Sequence, residues 1–411
     1  MEIKPIFSAL MRSKTGPVLV AVQVALSLAI LANALHIVSV RQAVAARPTG
    51  IVNEEQVFTL DVKVLNPGGH EEQMATQKAQ AAALRAVPGI VSVADTNQII
   101  LSRSGNYNSV AASRDQERTN ASPSMYVTPD SLVKTWGLKI IDGRDFTPQD
   151  VLEINQQKSN DFPTIAIITK ATGRKVWPDA PSFVGKKMYY GTGSDAREVT
   201  VVGVLETLQT PSAAMGENGE MSTMIPARLS GMSHSLYTLR AEPGQRDRAM
   251  KDAEEALRKL HHGQVVVHSE TQSEQRVNRY KADNALSWML ITVSVLLMMV
   301  TASGIVGMAS LWVTQRRKQI GVRRALGARK FDILRYFVTE NLMITTTGIV
   351  GGLLGALALN QLLVSRLEMA RLPAEYMVIG AAAFWALGVA AVYGPAWRAA
   401  SISPALATRS A

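Results

Sequence analysis

The 411-residue chain contains no cysteine, is 47% hydrophobic, and carries 43 Lys+Arg against 33 Asp+Glu for a formal net charge of +10. Residues 41–284 hold 28 basic and 28 acidic side chains, so the whole excess sits in 15 basic and 5 acidic residues beside long apolar stretches. That distribution argues against nucleic-acid binding, which gathers cations on a folded face, and the lack of thiols excludes disulfides and thiolate metal sites.

A basic N-terminal arm, residues 1–16 with Lys4, Arg12 and Lys14, leads into an uncharged apolar stretch at 17–40, PVLVAVQVALSLAILANALHIVSV. It exceeds the ~20 residues a bilayer-spanning helix needs. The small residues AVAA (43–46) resemble a cleavage site. The apolar run is nevertheless longer than the ~7–15 residues of a signal-peptide core, so it reads as an uncleaved anchor.

The polar block 41–284 opens with QVFTLDVKVL (56–65), an alternating strand pattern, then EEQMATQKAQAAALRAV (71–87), a helix with an Ala/Leu face, then GIVSVADTNQIIL (89–101), again a strand. Its far end repeats the pattern with HSLYTLRA (234–241), QRDRAMKDAEEALRKLHH (245–262) and QVVVHSE (264–270). Two β-α-β units therefore bracket the block, over about 50–104 and 231–270, with an insertion at about 105–230. Within the insertion, PTIAIIT (163–169) and REVTVVGVLE (197–206) read as strands, whereas RSGNYNSVAASRDQERTNASPS (103–124) and TPSAAMGENGEMS (210–222) read as flexible loops. From 264 to 303 there is neither Gly nor Pro, so a polar stalk (270–284) and the second apolar span (285–313) form one rod, about 65 Å long at 1.5 Å per residue.

A third span is expected at 338–364 and a fourth at 376–396, joined by the charge-balanced loop 365–375 and followed by a tail, 397–411, with Arg398 and Arg409. Short cytoplasmic loops retain Lys and Arg. The arm, the loop 314–337 and the tail are accordingly expected in the cytoplasm, with 41–284 outside; all four spans agree with this orientation. Gly348, Gly351, Gly352 and Gly355 in the third span, and Gly304 and Gly307 in the second, are small residues that permit close helix approach, either in ordinary packing or in a dimer contact. Gln23, Asn33, His36 and Asn360 are expected to make interhelical hydrogen bonds or to lie near interfaces.

Catalytic constellations are missing from these 411 residues. A P-loop needs Gly-x-x-x-x-Gly-Lys-Ser/Thr, and the nearest text, APSFVGKKM, lacks its first glycine and its hydroxyl. Neither His-Glu-x-x-His nor Gly-x-Ser-x-Gly occurs, and His261, His262 and His268 fall at a helix end and on a strand rather than in metal-ligand spacing. No catalytic, cofactor or metal residues are assigned, and no cofactor is expected on this chain.

The loop 314–337, TQRRKQIGVRRALGARKFDILRYF, carries Arg316, Arg317, Lys318, Arg323, Arg324, Arg329, Lys330 and Arg335 against the single acid Asp332. Ile320, Val322, Ala325 and Leu326 interleave with the basic residues, which suggests a short helix along the membrane ended by Gly327. Such a loop serves either as an anionic-lipid anchor or as a docking face for a cytoplasmic partner.

Here the chain resembles the MacB/FtsX-type ABC transporter permeases. Their Glu-Ile-Gly-Ile-Arg-x-Ala-Leu-Gly-Ala-like loop is matched by Ile320, Gly321, Arg323, Ala325, Leu326, Gly327 and Ala328, with Glu340 in a familiar place and Gln319 replacing the usual Glu. The tail PAWRAASISPALATR and the outer segments VTPDSLVKTWGLKIIDGRDFTPQD, FVGKKMYYG and REVTVVGV are also similar to the family. The N-terminal arm lacks the Leu-Thr-x-Leu-Gly-Ile-like stretch common there. The resemblance implies a four-helix membrane protein with a large α+β periplasmic domain, divided into a membrane-proximal Porter part and an inserted β-rich Sabre part. It further implies a non-catalytic permease of the bacterial inner membrane that dimerises with an identical or related chain. Two copies of a separate ATPase, which holds ATP and Mg, would drive it, relaying motion through the stalk helices (mechanotransmission). Residues Arg316, Arg317, Gln319, Ile320, Gly321, Arg323, Arg324, Ala325, Leu326, Gly327 and Ala328 would form the ATPase-coupling surface. Export of antibiotics, peptides or lipid-linked substrates, with a periplasmic adaptor and outer-membrane channel as further partners, is the leading expectation. Control of cell-wall hydrolases or a sensor kinase, and lipoprotein release, are the alternatives.

Overall fold

The computed structural model describes residues 15–367 and 371–401. The N-terminal arm before Thr15, part of the loop 365–375, and the tail beyond Ser401 with Arg409 lie outside the described residues. Contacts divide the chain into two compact units, Met1–Ala43 with Ala282–Ala411, and Val44–Lys281.

In chain order the elements are α1 (Thr15–Ala45), β1 (Val57–Val64), α2 (His70–Arg85), β2 (Ile90–Thr96), β3 (Val110–Ala111), β4 (Ser124–Thr128), α3 (Leu132–Trp136), β5 (Ile140–Gly143), β6 (Leu152–Asn155), β7 (Ile165–Thr169), α4 (Lys170–Val176), β8 (Lys187–Tyr190), β9 (Arg197–Leu205) and β10 (Ser222–Ser230). They continue with β11 (Ser235–Ala241), α5 (Arg246–Leu260), β12 (Val265–Thr271), α6 (Gln272–Gln315), α7 (Arg317–Ala325), α8 (Lys330–Leu367) and α9 (Ala374–Ala400).

In the α+β unit, a four-stranded antiparallel sheet has the order β12-β1-β11-β2. The strands of each β-α-β unit are thus separated by one strand of the other unit, and the block closes on itself. Helices α2 and α5 cover one face. Ala81 and Leu84 from α2, and Ala249, Ala253 and Leu257 from α5, pack on Phe58, Leu60, Val62, Val93, Tyr237 and Leu239. The insertion builds an eight-stranded sheet around β3-β8-β9-β7-β10-β4, with β5 beside β9 and β6 beside β10. A second core joins the two sheets. Trp136 plugs it and donates its indole N–H to Thr238 Oγ1 at 2.8 Å, while Tyr126 donates to the Gln209 carbonyl at 2.8 Å. This satisfies the polar tips of two fully buried aromatic rings.

Three expectations are corrected here. The strand expected to 101 stops at Thr96. Beyond it Leu101 takes φ 68°, and Ile100 and Leu101 turn into the core between the sheets, so their apolar character reflects core filling rather than strand pairing. The polar segments 103–124 and 210–222 are tied down. In the first, Val110 and Ala111 pair with Tyr190 and Tyr189, and Asn120 Oδ1 accepts from Ala112 N at 2.9 Å. In the second, the Ser212 and Ala214 carbonyls accept from Arg279 and Arg47.

In the helical unit, α1, α6, α8 and α9 are long and apolar enough to cross a membrane. Helix α8 starts at Lys330, ahead of the expected span, and α9 runs through Pro395 to Ala400. A proline inside a helix removes one hydrogen bond and crowds the preceding turn. Here Ala391, Ala396, Ala399 and Ala400 are buried in the helical core, and that packing carries the helix past the break. Buried polar groups also link the helices. Ser27 pairs with Thr301 at 2.9 Å, and Asn33 Nδ2 donates to the Ala29 and Ala356 carbonyls at 3.0 and 3.1 Å. Asn360 Oδ1 accepts from Leu372 N at 3.0 Å, and the His36 ring lies 5.4 Å from that of Tyr376.

Candidate functional site

Helix α7 is short and its C-terminus is fully formed. Ala328 N donates to Arg323 O at 3.0 Å and Gly327 N to Arg324 O at 3.2 Å, the two bonds of a Schellman cap. Gly327 provides the required left-handed residue at φ 96°, and a Cβ there would meet nothing within 4 Å. The glycine is therefore required by backbone conformation and not by space. Asp332, the lone acid of the loop, accepts from Arg329 N at 2.8 Å and so caps the start of α8. Sequence reading missed this role, although an acid three residues into an apolar helix was its signal.

The two faces of the loop differ. Ile320 and Gly321 are buried, Ile320 in the helical core with Trp312, Ile333 and Phe337. Arg316 also points inward, with Nη1 2.7 Å from Glu340 Oε2. On the other face Leu326 is 83% exposed, Phe331 66% and Val322 51%. Arg317, Lys318, Gln319, Arg323, Ala325, Gly327, Arg329, Lys330 and Arg335 are exposed as well, and Arg324 and Ala328 are half-buried. Of the eleven residues singled out for coupling, then, the structure turns Arg316, Ile320 and Gly321 into the chain and leaves most others facing outward.

The glycines of α8 face α1. A Cβ at Gly348 would come within 2.7 Å of Ala21 O and one at Gly352 within 2.9 Å of Ala25 O, whereas Gly351 and Gly355 have Ala25 Cβ and Ala29 Cβ at 3.5 and 3.4 Å. In α6, a Cβ at Gly304 would lie 2.6 Å from Gln23 Oε1. Gly307 is the exception, because a Cβ there meets nothing within 4 Å among the described residues.

Residues 23–259 match the MacB-like periplasmic core domain and residues 291–404 the FtsX-like permease C-terminal domain. Among curated relatives, the macrolide export ATP-binding/permease protein MacB of Acinetobacter baylyi is 26% identical over 281 residues, covering 66% of this chain and 40% of the relative. The pyoverdine export ATP-binding/permease protein PvdT of Pseudomonas savastanoi is 32% identical over 221 residues, covering 51% and 33%. The MacB protein of Neisseria gonorrhoeae is 25% identical over 297 residues, covering 70% and 43%. The chain thus spans less than half the length of these relatives, and the part it spans is the permease. The four apolar helices, the periplasmic-type α+β unit and the capped basic loop take their place within one architecture: the chain belongs to the MacB/FtsX-type ABC transporter permease family.

Proposed function

We propose that this chain is the permease subunit of an ABC exporter of the bacterial inner membrane, with the α+β unit in the periplasm and α7 docking a cytoplasmic ATPase. One observation supports this reading above the others: Leu326, Val322 and Phe331 stand exposed on a loop whose opposite face is fixed by buried contacts. A lipid anchor needs cations and a compliant apolar side. A rigid, end-capped helix with a protruding leucine suits a shaped groove.

Two ATPase copies per permease dimer, holding ATP and Mg, drive the motion; no P-loop occurs among these 411 residues. The relatives' names, macrolide export and pyoverdine export, point to small-molecule cargo; in this proposal a periplasmic adaptor and an outer-membrane channel complete the path. Helix α6, unbroken from Gln272 to Gln315, is the element that relays motion to the periplasmic side.

The test is copurification of the ATPase together with cellular export, at matched membrane levels. Leu326→Ala removes the protruding side chain, and Gly327→Val strains the left-handed cap. Both are expected to weaken ATPase capture or uncouple hydrolysis from export at least ten-fold, while Arg317→Lys stays within two-fold. Normal coupling in both, with loss only on charge removal, returns the loop to a lipid anchor.

A further inference from the structure

The inward face of the loop contains polar groups that an apolar helical core has reason to avoid. Arg316 is the single residue between α6 and α7. Its N–H donates to Trp312 O and its carbonyl accepts from Ile320 N, each at 3.0 Å, so helical hydrogen bonding runs through it on both sides. Its guanidinium donates from Nη1 to Glu340 Oε2 at 2.7 Å and to Tyr336 Oη at 3.3 Å. Glu340 is 0% exposed, and its other oxygen, Oε1, has no hydrogen-bond partner among the described residues. The ring of Tyr336 lies beneath two cations, with the Arg323 guanidinium 5.0 Å and the Arg316 guanidinium 6.0 Å from its centroid. Tyr336 and Glu340 stand four residues apart, on one face of α8. That single turn therefore holds the end of α6 through Arg316 and the last turn of α7 through Arg323.

A buried ion pair adds little net stability, because desolvation offsets the attraction and an apolar pair of similar volume often does as well or better. A guanidinium does provide direction, since its planar fork fixes angle and distance where apolar contacts permit sliding. Cation–π contact with Tyr336 adds a second fixed bearing.

We infer that Arg316, Tyr336 and Glu340 form a joint that locks α6, α7 and α8 in register, so that displacement of α7 drives α6 lengthwise instead of flexing the loop. They are positioning residues, and the inference rests on the reading of α7 as an ATPase-coupling helix. It removes Arg316 from the docking face and assigns it to transmission.

The experiment uses the full chain with its copurifying ATPase in nanodiscs, bearing Lys281→Cys as the only thiol, labelled with an environment-sensitive fluorophore. Unaltered residues at the joint should give a MgATP-dependent emission change. In Arg316→Met/Glu340→Leu, the response normalised to bound ATPase should fall at least five-fold, whereas a merely structural role would lower binding and response in proportion. Tyr336→Leu, which keeps the ion pair but removes the shared ring, should lose about half; it decides the matter if the double variant fails to reach the membrane. An undiminished normalised response in the double variant, or in Tyr336→Leu when only that variant is obtained, overturns the joint. Failure of the unaltered chain to bind any ATPase instead overturns the docking reading, and this inference with it.

Discussion

Two largely buried arginine–carboxylate pairs, one in each unit, solve the same problem differently. In the helical unit Arg316 Nη1 and Glu340 Oε2 meet at 2.7 Å. In the α+β unit Arg228 Nη1, on β10, stops 3.7 Å from Asp95 Oδ2, on β2, and has no hydrogen-bond partner among the described residues. The Asp95 pKa accordingly rises to about 7. Desolvation is the main cause; Arg228 opposes it, Asp130 adds to it, and the Thr96 N–H opposes it. Asp130 also accepts from Asp95 N at 3.0 Å and pairs with Arg85 at 2.6 Å, which places a second acid close by. Burial beside an arginine does not by itself make an ion pair. At 3.7 Å, and with Asp130 close by, Arg228 offsets only part of the desolvation that holds a proton on Asp95.

The largest expected effect tests the tight pair. Arg316→Met leaves Glu340 as an uncompensated buried charge and should cost about 3–5 kcal/mol of stability, most of it recovered in Arg316→Met/Glu340→Leu. Thermal unfolding of the detergent-solubilised chain measures both, and a double variant as damaged as the single would show that the pair is not the reason for the loss.

The loose pair should respond to pH. Folded Asp95 holds its proton at about 7 against an ordinary 3.8, so its contribution is full below pH 4 and disappears as pH rises through 7. A shift of about three units corresponds to at most about 4 kcal/mol. The 13% of the side chain still exposed tempers this to about 2–4 kcal/mol. Asp95→Asn should leave the unfolding midpoint nearly unchanged at pH 4 and raise it increasingly up to pH 8. An equal pH slope in both proteins would make Asp95 an ordinary charged partner of Arg228.

The smallest effect concerns packing around the tight pair's own unit. Gly352→Val places a side chain against Ala25 O and Leu28 and should cost about 1–3 kcal/mol by overpacking. Gly307→Val should stay within about 0.5 kcal/mol, because its Cβ direction is open. If Gly307→Val instead splits an oligomer in size-exclusion chromatography without lowering the midpoint, that face of α6 packs against another chain.

Much of this architecture is legible in the residues. Uninterrupted apolar runs mark the four helices, and the repeated strand–helix–strand pattern at 56–101 and 234–270 marks the split sheet, because both depend on local periodicity. Features set by tertiary contact are not legible. Ile100 and Leu101 end a run of strand composition but fill a core, and Pro395 is overruled by alanines packed beside it. Of the loop, the helix, its glycine stop and its basic character follow from sequence. The division into an exposed apolar face and an inward polar contact does not, since it depends on Glu340, which lies beyond the basic run and meets Arg316 only after α8 has packed.

The strand order has a consequence for biosynthesis. Strand β1 pairs only with strands that begin at Ser235 and Val265. As the chain emerges, β1 and α2 have no sheet to join until nearly the whole outer block has been synthesised, while the inserted strands β3–β10 can already pair among themselves. Non-local pairing of this kind is slow and leaves unpaired edges exposed in the interim. Nascent β1, with its Val-Phe-Thr-Leu core, is therefore the segment of this protein that most needs an escort during export.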